Sequence, residues 1–209
     1  MNIRFSASNE LLTELKTIAG AFRLLFLLGL GIIALFLIFW WDTMCENPFS
    51  EAGPTELIQT LLLLISSAIF FLEARRCPDM CGALVLTGGL IGCMLIREQD
   101  YYLDMLSHGC WKWPALALAI SCTAYAGITF RATVAALARF VQWRYFTVLL
   151  VGLVIVLAYS RLFGMGMLWK PLLPDGEWRT AKNAIEESSE LLGYLFLCFS
   201  ALLLRFGKK

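Results

Sequence analysis

The chain has 209 residues, 59% of them hydrophobic, and a formal net charge of +1. An ordinary soluble domain is about 45–50% apolar, and here the excess is gathered into long runs that read as membrane spans. The near-zero charge argues against a nucleic-acid partner, and a single histidine, His108, excludes bis-histidine haem and three-histidine zinc sites.

Residues 1–22 come first. Leu11, Leu12, Leu15, Ile18, Ala19 and Phe22 recur at helical spacing, with Ser8 or Asn9 placed to cap. This predicts an amphipathic helix on the membrane surface or, equally, a helix leading straight into the first span. The apolar run after it is too long for a signal peptide, ends in Trp40-Trp41 and lacks a small-x-small site, so no cleavable leader is expected.

Charges then bracket six apolar runs, which predict spans over roughly 23–41, 56–72, 80–96, 113–130, 145–160 and 187–204. In lipid each must be a helix, because the bilayer core offers no partner for a free backbone N–H or C=O. A β-barrel is excluded because its strands alternate in polarity and these runs do not. The expected fold is an all-α bundle of six transmembrane helices forming one membrane domain over 1–209.

Lysine and arginine set the orientation. With the N-terminus inside, the inner segments carry eleven basic residues and the outer segments six: Arg97, Lys112, Arg161, Lys170, Arg179 and Lys182. Both termini are therefore expected on the cytoplasmic side, in a bacterial inner membrane. Trp40, Trp41, Trp111, Trp113, Trp169 and Trp178 fall at the outer interface and Trp143 at the inner one. The stretch from Leu162 to Trp178, with Gly164, Gly166, Pro171, Pro174 and Gly176, reads as an outer interfacial loop or lid.

A hydrocarbon core of about 30 Å takes about 20 helical residues. The second and fifth runs have 16 residues between charges and the sixth has 14, so the sixth covers only about 21 Å. If the helices continue outward, the charges at their outer ends lie below the membrane surface, where an unpaired charge costs a few kcal/mol or more. Short Glu and Asp side chains snorkel poorly. The expected solution is a polar recess inside the bundle built from Glu56, Gln59, Arg97, Glu98, Asp100, Arg161, Glu186, Glu187 and Glu190, with Arg97 and Arg161 as counter-ions. Glu56 and Gln59 share a helix face, as do Glu186 or Glu187 and Glu190. Gly88 and Gly92 form a GxxxG that allows close helix approach below Arg97.

Six acids against two arginines have two physical resolutions. Some of the acids hold protons, or a hard divalent cation such as Mg²⁺, Ca²⁺ or Mn²⁺ sits among Glu56, Glu98, Asp100, Glu187 and Glu190. The bland alternative is an ion-pair network that locks helix ends. Cys45 and Cys110 both fall in outer segments, where a disulfide is permitted; two unpaired thiols are the simpler expectation. Cys77 and Cys81 face the inner side. His108 after Ser107 reads as a solvated loop residue, and Arg131, Arg139 and Arg144 as a basic face toward anionic lipid headgroups.

The signatures of intramembrane serine and aspartyl proteases, CDP-alcohol phosphotransferases and PAP2 phosphatases are absent. Three functions stay open. One is binding or processing of a lipid or lipid-linked substrate from the outer face. The others are a cation- or proton-coupled small transporter, and an accessory subunit among other membrane subunits. Against transport, no strongly polar residue is expected deep in the inner half of a span, and mid-span prolines that break helices are missing.

Overall fold

The computed structural model describes residues 2–45, 53–173 and 177–207, with side chains from Thr13 onward. Among the described residues there are helices and no strand. Two compact units are recognised, Met1–Leu37 and Ile38–Lys209.

Helix α1 runs without interruption over Asn2–Thr43, about 63 Å at the rise of an α-helix. The N-terminal segment is thus the start of the same helix that carries the first apolar run. Ser8 and Asn9 lie within it rather than at its cap, and their side chains fall outside the described residues. No proline interrupts the segment, and helix propagation is cheap once a helix is nucleated.

Helix α2 (Pro54–Arg76) begins with proline in its first turn and ends on Arg75 and Arg76. Both ends suit their residues: proline lacks the N–H that a first turn leaves unpaired, and cations favour the C-terminal dipole. A further unpaired N–H of that first turn, at Thr55, donates to Asp42 Oδ2 at 3.2 Å. Asp42, near the end of α1, is fully buried in this role.

A 3₁₀ turn over Pro78–Met80 leads into α3 (Cys81–Glu98), and α4 (Asp100–Asp104) follows. Helix α3 packs on α2, α5 and α6. Its GxxxG does what the spacing predicts. A Cβ on Gly88 would lie 3.2 Å from Phe70 Cβ, and one on Gly92 2.7 Å from Leu118 Cδ2. At that closeness Ser67 Oγ reaches the Gly88 carbonyl at 2.9 Å.

The fourth predicted span, 113–130, is helical over nearly its whole length, but the chain bends sharply at its end. Helix α5 covers Lys112–Ile128, and after a bend of 102° α6 covers Phe130–Val141. The stretch that carries Arg131 and Arg139 is an amphipathic helix. It buries Thr133, Ala136 and Phe140, three positions on one helical face, and leaves Arg131 and Arg139 exposed. The Phe140 ring stacks on Trp143 at 5.9 Å and meets Phe70 edge-on at 6.4 Å.

Helix α7 (Phe146–Val154), a π-helical turn (Ile155–Tyr159) and α8 (Ser160–Phe163) form one segment. Helix α9 (Gly166–Trp169) and the long α10 (Trp178–Phe206) complete the chain. Pro174 and Gly176 of the predicted lid lie outside the described residues; the part that is described contains α9.

Among the described residues five helices are long and apolar enough to cross a membrane, and six if the bent α5–α6 pair counts as one span. Helix α10 packs on α2 and α7, and α2 on α3. Leu63, Phe70, Leu84, Ile91, Leu149 and Leu197 fill the core between them. Leu57, Leu64, Leu72, Leu150 and Val154 remain exposed on the outer faces of these helices. A helix apolar all round belongs in lipid, so the molecule has the surface of a membrane-embedded protein.

Candidate functional site

Helix α10 organises the recess. It extends from Trp178 to Phe206, so the run between Glu190 and Arg205 is only part of it, and Glu186, Glu187 and Glu190 lie well inside a continuous helix. Glu186, Glu190 and Tyr194 follow at steps of four and share one face.

Glu190 is 3% exposed and is held by Arg161 at the start of α8. The same guanidinium donates to Glu186 Oε1 at 3.0 Å, and Lys182 Nζ lies 2.8 Å from Glu186 Oε2. The Ser160 hydroxyl lies 3.4 Å from Glu190 Oε1 but 2.7 Å from the Val156 carbonyl. Its single proton goes to the shorter contact, which makes Ser160 a neighbour of Glu190 rather than its donor.

Two features of the chain bring Arg161 to this place. The π-helical turn over Ile155–Tyr159 immediately precedes Ser160 and Arg161 and takes up one extra residue, shifting the face that follows. Below it α7 and α10 cross at paired glycines. A Cβ on Gly152 would lie 3.0 Å from the Gly193 carbonyl, and one on Gly193 would run into the Val156 side chain.

At the end of α3, Arg97 Nη1 pairs with Glu98 Oε1 at 2.9 Å, and the buried Tyr194 hydroxyl donates to the same oxygen at 2.7 Å. Gln59 Nε2 on α2 donates to Glu187 Oε2 at 2.9 Å and to the Glu187 carbonyl at 3.3 Å. Gln99 Nε2 ties the end of α3 to Thr60 Oγ1 at 2.7 Å. Glu98, Glu187 and Glu190 stand within electrostatic reach of one another, and Arg97 within reach of Glu98, Glu190 and Asp100.

The structure thus joins Gln59, Arg97, Glu98, Arg161, Glu186, Glu187 and Glu190 in one neighbourhood, with Asp100 at its edge in the first turn of α4. Glu56 is half-buried in the first turn of α2, where a carboxylate faces the positive end of the helix dipole. Among the described residues no group of three His, Cys, Asp and Glu side chains stands close enough to hold a metal ion. All seven cysteines are free thiols, so Cys45 and Cys110 do not form the bond the sequence permits. His108 is fully exposed and 3.2 Å from Asp104.

Three participants lie outside the nine residues expected to form the recess. Tyr194 was hidden as one more aromatic in an apolar run, although its step of four from Glu190 is a usable signal. Lys182, at the same step before Glu186, extends the network outward. Glu73, the charge that ends the second apolar run, is 6% exposed and pairs with Arg205 at 2.6 Å and Arg76 at 3.4 Å, a second ionic lock at the opposite end of α2 and α10. Gln59, Ser66 and Glu73 recur every seven residues along α2 and are all buried, but the fully buried Leu63, Phe70 and Leu197 fill the core along the same helices.

Gln59 is itself fully buried, and among the described residues its carbonyl Oε1 has no hydrogen-bond partner. A buried acceptor left unmade costs about 1–3 kcal/mol. The amide therefore has one hand on Glu187 and the other open.

Replacing Tyr194 with Phe tests the Glu98 contact. Hydrogen bonds to charged groups are worth about 1.5–3 kcal/mol, so Tyr194→Phe is expected to lower stability by about 2 kcal/mol in a thermal melt of the detergent-solubilised protein. An unchanged melt would show that Arg97 alone satisfies Glu98.

No protein-family model, no curated protein and no solved structure matches this chain.

Proposed function

We propose that this is a six-span protein of a bacterial inner membrane, with both termini in the cytoplasm, whose recess opens to the outer face and binds the polar head of a lipid or lipid-linked substrate. The basic residues support the orientation: eleven lie on segments assigned inside and six outside. The bent α5–α6 pair serves as the fourth span, with α6 lying at the inner interface on its apolar face.

The observation that carries the binding role is the open carbonyl of Gln59 beside Glu187. A buried acceptor left unmade costs free energy, and a ligand that supplies a donor removes that cost. A hydroxyl or ammonium of a bound head group supplies the missing donor, and Glu187 beside it offers further acceptors. Transport is the weaker reading, because Leu63, Phe70 and Leu197 close the core between the recess and the Glu73–Arg205 pair. A divalent cation bridging the head group to Glu98, Glu187 or Glu190 is a variant of the same reading, and metal analysis of the purified protein decides between the two.

The test is mass spectrometry of the protein purified in mild detergent. The parent is expected to retain a lipid or lipid-linked molecule in stoichiometric amount. Gln59→Leu and, separately, Glu187→Gln are expected to lose it while melting like the parent. A parent that retains nothing, or well-folded variants that retain as much as the parent, would overturn the assignment.

A further inference from the structure

Beside the recess lies a cleft of about 500 Å³ lined by Gly166, Met167, Lys170, Trp178, Arg179 and Lys182, with Asn183 at its rim. Its chemistry is the reverse of the acidic network. Lys170 Nζ stands 4.9 Å above the Trp178 ring and the Arg179 guanidinium 5.4 Å from it. Cations so placed are attracted by the ring quadrupole, which fixes them without neutralising them. Among the described residues neither has a carboxylate partner, and Lys182 shares Glu186 with Arg161.

The cleft is built by close approach. A Cβ on Gly166 would lie 2.9 Å from Trp178 Cζ3, and one on Gly164 2.9 Å from Glu186 Cδ. Glycines at both positions let the α8–α9 segment lie against the first turns of α10. Around this cationic wall Leu162, Met167, Leu168 and Leu172 are exposed, so the same segment presents apolar side chains to its surroundings. Positive charge over an indole, flanked by exposed aliphatic side chains, is the arrangement an interfacial anion with an acyl tail requires.

Resting on the reading of the recess as a head-group site, we infer that this cleft holds the phosphate of the bound molecule. The ligand class is therefore an anionic phosphate-bearing head group. Lys170 and Arg179 take the phosphate oxygens, and the chain Lys182–Glu186–Arg161–Glu190 links the cleft to the carboxylates that face the rest of the head. The phosphate can belong to a membrane lipid or to a soluble molecule, and the experiment separates the two.

The purified full-length protein is melted in detergent micelles doped with phosphatidylglycerol, in micelles doped with phosphatidylcholine, and in undoped micelles with inorganic phosphate. The parent is expected to melt higher with phosphatidylglycerol than with phosphatidylcholine. Lys170→Gln combined with Arg179→Gln removes two exposed charges and leaves the core untouched. It is expected to lose that difference, with apparent affinity falling about thirtyfold for two basic contacts near a membrane surface. Stabilisation by inorganic phosphate alone, also lost in the double variant, assigns the same cleft to a soluble phosphate. Equal melting in both lipids with no response to phosphate overturns the inference, as does a phosphatidylglycerol response that survives the double variant. Mass spectrometry keeps the two readings apart. A parent that retains an uncharged lipid leaves the recess reading standing and sinks the phosphate cleft. A parent that retains nothing sinks the recess reading, while the melts still decide the cleft.

Discussion

Arg161→Met is expected to destabilise the protein by about 3 kcal/mol. Glu190 is 3% exposed, and Arg161 is the cation that contacts it. Breaking a buried ion pair from one side costs about 3–5 kcal/mol, because the remaining charge stays buried without compensation. The Arg161 side chain is 39% exposed, so water replaces part of its effect and the lower end of that range applies. Glu186 loses the same partner but keeps Lys182 at 2.8 Å. The partner substitution Glu190→Gln removes the charge and keeps the shape, and should cost less. Combined, Arg161→Met and Glu190→Gln should recover most of the loss, since replacing both members of a buried pair is often near neutral. Thermal or denaturant melts of the four proteins close the cycle. Additive losses in the double variant would mean that Arg161 and Glu190 do not depend on each other.

Much of this site was legible because membrane physics makes charge conspicuous. A carboxylate within an apolar run must find a partner, and that requirement places Glu186 and Glu190 in one recess with Arg161 as a counter-ion. The short runs were informative for the same reason: α10 continues from Glu190 back to Trp178, so the deficit in apolar length marked buried charge rather than a short helix. Glu56 ends an apolar run just as Glu190 does, yet α2 begins at Pro54, so Glu56 is a first-turn residue while Glu190 lies within a long helix. Counting between charges cannot distinguish these cases, because it does not locate helix starts.

Features that carry no charge were missed. Tyr194, Ser160 and the π-helical turn before Arg161 look like ordinary span residues. The α5–α6 break was missed because Ile128-Thr129-Phe130 carries no charge and no proline; the bend follows from Thr133, Ala136 and Phe140 packing on α3 and its neighbours, a tertiary preference. The Glu73–Arg205 pair joins residues 132 apart in sequence, and nothing local predicts it. Together the two ionic clusters pin α2 to α10 at both ends, with an apolar core between. That arrangement holds the recess in a rigid frame while leaving its outer side to the cleft between α9 and α10.

Gly193→Val tests that frame at its tightest point and is expected to cost at least about 3 kcal/mol. In a helix interior, replacing Gly by Ala normally gains about 1 kcal/mol of helix propensity. Here even the Ala Cβ would collide with Val156, and it would lie 3.2 Å from the Gly152 carbonyl and 3.3 Å from Ile155 Cγ2. Overpacking a core typically costs about 1–3 kcal/mol, and the larger Val forces α7 away from α10. Because the π-helical turn and Arg161 follow α7 directly, that displacement also weakens the Arg161 contact with Glu190. Gly193→Ala should therefore be intermediate, and Val156→Ala should suppress it, since the pair of changes exchanges one side chain's volume for another's. Gly29→Ala on α1, where no atom lies within 4 Å of the added Cβ, is the control and should be neutral or slightly stabilising. Adding Arg161→Met to Gly193→Val should cost much less than it does in the parent, because the contact is already weakened. Full additivity of those two changes would show that the glycine crossing packs the helices without positioning Arg161.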